Sequence, residues 1–370
     1  MELLTPTLAI VLGFVALVWG ADRFVMGAAA TARNLGVSPL VIGLTIVGFG
    51  TSAPEMLVSS VAALEGAAGL SVGTAIGSHL TNVALVLGVA ALVSPLQVPQ
   101  DVLSRELPVM LLVMLGAGVL LLDGHLGRVD GVLLLAGMVA MVGVVVREGL
   151  RSRDRHGEVA ASDAEGLAPP MGQGVALLWL LAGLGVLLAG SNALVWGATT
   201  VARHYGVSEL VIGLTIVDFG TSLPELAATV VAAQKKEHEI AVGNVIGSNL
   251  FNTLGVLGLP GVIRPGPIEA SVMSRDYPVM LGVGVLLFVL ARAFRPYQHI
   301  NRAEGATLVA CFVSWLVWIY LETTGVVCAL GAKTRSRPAA LTTAAPRAAH
   351  IVGALPKTST SPSIPSTGAA

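Results

Sequence analysis

Charge is what this sequence has least of. Asp, Glu, Lys and Arg make up 12% of its 370 residues, against about 25% in an ordinary soluble domain, which excludes a water-soluble fold. The net charge of −1 offers no electrostatic hold on nucleic acid or on an acidic partner. Cysteine is nearly absent, and Cys311 and Cys328 make no CxxC and no Cys/His ligand pattern. Cys311 sits in an apolar run and reads as a small hydrophobe. The amino-terminal stretch MELLTPTLAIVLGFVALVWGADRF lacks the positive n-region of a signal peptide, so it reads as a first span kept in the mature protein.

What is present is hydrocarbon. Apolar residues account for 54% of the chain and mean hydropathy is +0.82, with runs such as LPVMLLVMLGAGVLLL at 107–122. About 20 apolar residues cross a bilayer. That criterion predicts ten transmembrane helices, near 7–31, 37–65, 69–94, 104–122, 127–147, 173–201, 207–234, 239–263, 274–294 and 303–321. The expected fold class is therefore an all-α integral membrane protein.

The sequence also repeats itself at an offset of 170. Residues 36–55, GVSPLVIGLTIVGFGTSAPE, align without gaps to 206–225, GVSELVIGLTIVDFGTSLPE, and differ only at 39/209, 48/218 and 53/223. The same offset aligns GTAIGSHLTNVALVLG at 73–88 with GNVIGSNLFNTLGVLG at 243–258. Each half holds five spans, an odd number, so the second half must enter the membrane upside down. Two inverted repeats meeting near the midplane are a common architecture of secondary transporters. The expected organisation is a first five-helix repeat at 1–147, a cytoplasmic linker at 148–172 and a second, inverted repeat at 173–330. A tail at 331–370, rich in Ala, Thr, Ser and Pro, is expected to be disordered.

Lys and Arg placement predicts the orientation. With the amino terminus outside, inner loops and helix ends hold eleven, including Arg33, Arg105, Arg147, Lys235, Lys236 and Arg302, and outer ones hold Arg128, Arg203, Arg264 and Arg275. Both termini are expected to be extracytoplasmic.

The paired GTSAPE (50–55) and GTSLPE (220–225) carry the chemistry. As a straight helix, residues 36–66 would be about 46 Å long against about 30 Å of hydrocarbon, so the segment must tilt or break. Gly50 followed by Pro54 predicts a break there, and Gly220 with Pro224 predicts the same in span 7. Carbonyls near Gly48 and Phe49, and near Asp218 and Phe219, would then need partners. Into each break project Thr51, Ser52 and Glu55, or Thr221, Ser222 and Glu225. The following spans add Ser78 with Asn82 and Ser248 with Asn252, at i,i+4 spacing on one helix face. The set is rich in oxygen and free of thiolate, which suits Ca²⁺ or Na⁺ and disfavours zinc or copper.

Two ionised glutamates at the midplane are costly unless neutralised. One Ca²⁺, two Na⁺ or two protons would do it, and a carrier unstable when empty is what obligatory exchange needs. A third Na⁺ would make the cycle electrogenic. S-x-x-E with proline in the first turn also fits a helix capping box; two copies at equal depth, each followed by a Ser/Asn face, favour an ion site. Gly73/Gly77 and Gly243/Gly247 fit close helix packing, ligand presentation, or both.

These motifs closely resemble the two α-repeats of the sodium/calcium exchanger family, within the cation/calcium exchanger superfamily, over roughly residues 1–325. The resemblance implies a prokaryotic antiporter of the bacterial inner membrane, with Ca²⁺ and Na⁺ as transported ions, membrane lipid around it and no cofactor. It implies Glu55 and Glu225 as central cation ligands. Thr51, Ser52, Thr221, Ser222, Ser78, Ser248, Asn82 and Asn252 would complete the sites, with backbone carbonyls at Gly48 and Asp218. It also implies that spans 1 and 6 slide past a fixed core.

Three positions depart from the pattern. Asn252 stands where potassium-dependent members carry Asp, which argues against K⁺ co-transport. His79 stands opposite Asn249 of the second repeat, as a packing change or a proton-sensitive neighbour. Asp218 replaces a small residue and could serve as an auxiliary carboxylate or simply bond freed backbone. Three other functions compete: H⁺/Ca²⁺ exchange on the same scaffold, a cation channel, and an intramembrane hydrolase using Ser52 or Ser78 with His79.

Overall fold

A computed structural model describes residues 3–66, 68–155, 171–207, 218–293 and 299–323. The expected tail, most of the linker and the stretch 208–217 of the second repeat lie outside the described residues.

The helices are α1 (Leu4–Leu35), α2 (Pro39–Glu65), α3 (Ser71–Val93), α4 (Val102–Leu120), α5 (Arg128–Arg155), α6 (Gln173–His204), α7 (Asp218–Thr221 and Leu223–Gln234), α8 (His238–Ile263), α9 (Val272–Arg292) and α10 (Arg302–Thr323). Among the described residues, all but α7 are long and apolar enough to cross a membrane. Helix α5 runs on past the expected end at 147 to Arg155, and Glu148 of this extension pairs with Arg105 of α4.

Local signals set the ends. Gly36 adopts φ 66 and closes α1, with its N–H on the Arg33 carbonyl and that of Val37 on Ala32. Two residues later Ser38 caps α2 and Pro39 occupies its first turn. Glu239 of α8 reinforces that cap, accepting from the Ser38 hydroxyl at 2.5 Å and the Leu40 N–H at 3.1 Å.

Four two-residue strands reveal the symmetry. β1 (Leu96–Gln97) follows α3, β2 (His125–Leu126) follows α4, β3 (Gly266–Pro267) follows α8 and β4 (His299–Ile300) follows α9. β1 pairs antiparallel with β4, and β2 with β3. Helix α4 separates β1 from β2, so the two ladders lie at opposite ends of the bundle. β1 and β3 are equivalents at the 170-residue offset, yet they sit in different ladders. Equivalent loops therefore face opposite sides, and the halves are inverted.

Helices α3 and α8 lie at the centre, with α8 buried without interruption from Ile240 to Gly258. Outside them, α1 and α6 cross as an antiparallel pair with their backbones nearly touching. A Cβ on Gly20 would lie 2.5 Å from the Leu187 nitrogen, and one on Gly190 would lie 2.6 Å from the Leu17 nitrogen. Gly13, Gly20 and Gly27 are matched at the same offset by Gly183, Gly190 and Gly197, so each helix presents a stripe of bare backbone to the other. Such small-residue faces let membrane helices approach closely. Asp22 of α1 also meets Lys235 at the end of α7 at 2.7 Å, and the Arg23 guanidinium lies over the ring of Trp179 of α6 at 4.8 Å.

Candidate functional site

The two GTS-x-PE segments differ in the way they bend. Helix α2 does not break at Gly50–Pro54. It stays helical through Pro54, and its irregularity is a widened turn at Gly43–Val47. In α7 the helix is interrupted at Ser222, and Pro224 sits in the first turn of the piece that follows. Ser222 makes no side-chain cap bond there, so the capping-box reading fails for the second repeat.

Glycine brings α2 onto α8. The Gly43 and Gly243 backbones face each other, and a Cβ on either would lie 3.1 Å from the other's Cα. A Cβ on Gly48 would lie 2.9 Å from the Ser248 nitrogen, which is why position 48 carries no side chain. Close packing thus explains Gly243 and Gly247. A Cβ on Gly73 would meet nothing within 4 Å among the described residues.

With the helices that close, the first repeat's hydroxyls meet the second repeat's side chains. The Thr51 hydroxyl lies 3.2 Å from that of Ser248 and 3.1 Å from Asn244 Oδ1. Ser248 donates to the Gly48 carbonyl at 3.3 Å. The Ser52 hydroxyl donates to Glu225 Oε1 at 3.3 Å. Ser59, one turn beyond Glu55, donates to the Val256 carbonyl at 2.7 Å. Thr51, Ser52, Glu55, Ser78, Asn82, Ser222, Glu225, Ser248 and Asn252 are all buried, and Thr221 is partly so. Asp218 opens the short first piece of α7; the expectation for its side chain lies outside the described residues.

Two features escaped sequence reasoning. In α3 and α8 the helix widens at Thr81–Val86 and Asn252–Val256. The carbonyl of Asn82 accepts from Leu87, and that of Asn252 from Leu257 at 3.2 Å, each five residues on. Such single-turn widenings re-aim side chains and recur at functional sites. The Asn82 turn packs on α7 and α8, and the Asn252 turn on α2 and α3. The second missed feature is Asn244, which joins Thr51 to α7. The i, i+4, i+8 run of Asn244, Ser248 and Asn252 on one helix face is the signal that points to it.

The donor set fits a hard cation. Ser78 Oγ, Asn82 Oδ1, Ser222 Oγ, Asn252 Oδ1 and Glu225 Oε2 are buried with no hydrogen-bond partner among the described residues. Each such atom costs roughly 1–3 kcal/mol if left unmatched, and a metal ion is the partner that oxygen atoms accept in common. Both His79 ring nitrogens are likewise buried without a partner among the described residues. Ser78 and His79 are therefore not hydrogen-bonded to each other, which removes the Ser–His pair a hydrolase would need.

Comparison with known proteins gives the family. The family model described as sodium/calcium exchanger protein matches residues 5–147 and 175–321. The chain is 42% identical over 320 residues to the inner membrane protein YrbG of Escherichia coli, covering 86% of this chain and 98% of that one. It is 32% identical over 349 residues to the sodium/calcium exchanger MaX1 of Methanosarcina acetivorans, covering 85% and 98%. The solved sodium/calcium exchanger from Methanococcus jannaschii superposes with a TM-score of 0.73 at 32% identity, covering 85% of this chain and 98% of that one. The exchangers among these relatives are transporters rather than enzymes, and this chain, a multi-pass membrane protein that exchanges cations such as Ca²⁺, belongs to the sodium/calcium exchanger family.

Proposed function

We propose that the chain exchanges Na⁺ for Ca²⁺ by alternating access, at a single midplane site built on Glu55 and Glu225. The observation that carries this is the Ser52–Glu225 hydrogen bond, which ties the acidic motif of one repeat to that of the other. Ser52 and Glu55 share a face of α2 at i,i+3 spacing, so both carboxylates belong to one constellation. Thr51, Thr221, Ser78, Asn82, Ser222, Ser248 and Asn252 supply neutral oxygens, and the backbone adds carbonyls at Gly48 and Asp218. Ca²⁺ or two Na⁺ neutralise the acidic pair, and neither arrangement leaves an unpaired charge in hydrocarbon.

The α1–α6 pair is the moving element. Its smooth glycine interface makes it one body, and its contact with α7 is lighter. The repeats run over 1–147 and 173–330, and the connection between them at 148–172, whose first part continues α5, is cytoplasmic. The bias of Lys and Arg places both termini outside the bacterial inner membrane.

Isotopic Ca²⁺ flux in proteoliposomes, with Na⁺, K⁺ and H⁺ gradients imposed one at a time, tests the coupling. An outward-directed Na⁺ gradient alone should drive uptake into the vesicles. Uptake driven only by a pH gradient would replace Na⁺ by H⁺ on the same scaffold, and currents far above carrier turnover would mean a channel.

A further inference from the structure

A hydroxyl can serve a cation only if its proton points elsewhere. The Thr51 hydroxyl lies among the carbonyls of Val47 at 3.2 Å and Gly48 at 3.4 Å, Asn244 Oδ1 at 3.1 Å and Ser248 Oγ at 3.2 Å, with the Glu225 side chain also in hydrogen-bond reach. In a helix a threonine usually returns its proton to the carbonyl one turn back. Here Asn244 Oδ1 lies closer than either carbonyl. We infer that Asn244 is the positioning residue for Thr51. Its amide oxygen takes the Thr51 proton, which turns the Thr51 lone pairs toward the ion and relieves the Val47 carbonyl of that bond.

The amide can do this in one orientation only. Its Nδ2 lies 2.9 Å from the Thr229 hydroxyl oxygen and 3.4 Å from the Glu225 carbonyl oxygen. A carbonyl accepts and never donates, so a flipped amide would set oxygen against oxygen. The Glu225 backbone thereby fixes Oδ1 toward Thr51. Asn244 is fully buried. It joins three helices through one side chain: α2 at Thr51, its own α8, and α7 at Glu225 and Thr229. The state of the α7 backbone beside one carboxylate thus sets the proton of a hydroxyl in the opposite repeat. The matching position in the first repeat is Thr74, which carries no amide.

This role rests on the ion-site reading of Thr51 and is tested by a pair of isosteres. In Asn244→Thr a hydroxyl oxygen can still accept from Thr51; in Asn244→Val, of the same shape, nothing can. Equilibrium ⁴⁵Ca²⁺ binding and its displacement by Na⁺ are measured on both, and on the same two changes made in a Thr51→Ala background, with Glu225→Gln alongside. Size-exclusion profiles select monodisperse protein. Asn244→Val should weaken cation binding about tenfold more than Asn244→Thr, the scale of one hydrogen bond to a charged site. In the Thr51→Ala background that difference should vanish. Equal binding by the two isosteres with Thr51 present, or an undiminished difference without it, would overturn the role of Asn244 alone. Wild-type binding by Glu225→Gln would overturn the site and this role with it.

Discussion

The hydroxyl of Ser52 lies 3.3 Å from Oε1 of Glu225 and donates to it. The two residues are 173 positions apart and belong to opposite repeats, so a hydrogen bond between them closes the duplication onto itself. Removing the carboxylate charge should therefore abolish exchange from either side. Glu55→Gln and Glu225→Gln should each lose Ca²⁺ flux by at least about a hundredfold, the loss of a charged ligand being worth about 3 kcal/mol or more. Both proteins should remain folded by size exclusion and circular dichroism. Robust flux in both mutants would reject the assignment.

Asn252 begins the widened turn of α8 and is fully buried. An aspartate there would add a negative charge to a set that Ca²⁺ or two Na⁺ already balance. Asn252→Asp should alter the monovalent-ion dependence of flux, drawing in K⁺ or strengthening cation binding. Identical Na⁺ and K⁺ profiles before and after the change would remove Asn252 from the site.

The α1–α6 crossing should be intolerant of side chains. Gly20→Leu places new atoms against the Leu187 backbone, where a Cβ would already lie 2.5 Å away, and backbone cannot rotate aside. Overpacking of this kind costs about 1–3 kcal/mol, read as a lower melting temperature in detergent. Gly185→Leu, on the partner helix α6, is the control, since a Cβ there meets nothing within 4 Å among the described residues, and it should leave the melting temperature unchanged.

The turn between α7 and α8 holds two opposed effects. Lys236 adopts φ 61, where its equivalent in the first repeat, Gly66, adopts φ 85. Lys236→Gly should stabilise the protein by about 1 kcal/mol. Next to it, burial raises the Glu237 carboxyl above its usual range, Glu239 raises it further, and Lys235 partly offsets both. A raised carboxylate helps the fold while protonated and loses that contribution as pH climbs through its folded value. Glu237→Gln should therefore raise the melting temperature at neutral pH, with the gain shrinking as pH falls toward 4.5. A gain that grew on acidification would contradict that sign.

Much of this was legible in residue order, and the reasons are specific. The bilayer demands a length, so the spans could be counted, and five per repeat forces inversion, which the β1–β4 and β2–β3 pairing bears out. The clustering of Thr51, Ser52, Ser248 and Glu225 followed from the repeated motif and from i,i+4 spacing. The form of the bend in α2 was not legible. Pro54 predicts a break, yet the helix continues through it and the irregularity lies upstream, in the widened turn at Gly43–Val47. The widened turns at Asn82 and Asn252 were hidden for a similar reason. A five-residue hydrogen bond leaves no mark on hydrophobic periodicity.

Equilibrium Ca²⁺ binding to the purified protein, titrated against Na⁺, bears most directly on whether the two acidic residues form one site. A single Ca²⁺ per chain should bind, Na⁺ should displace it, and Glu55→Gln and Glu225→Gln should each eliminate it. If either variant alone kept wild-type binding, the repeats would hold separate sites, and a shared midplane centre would be ruled out.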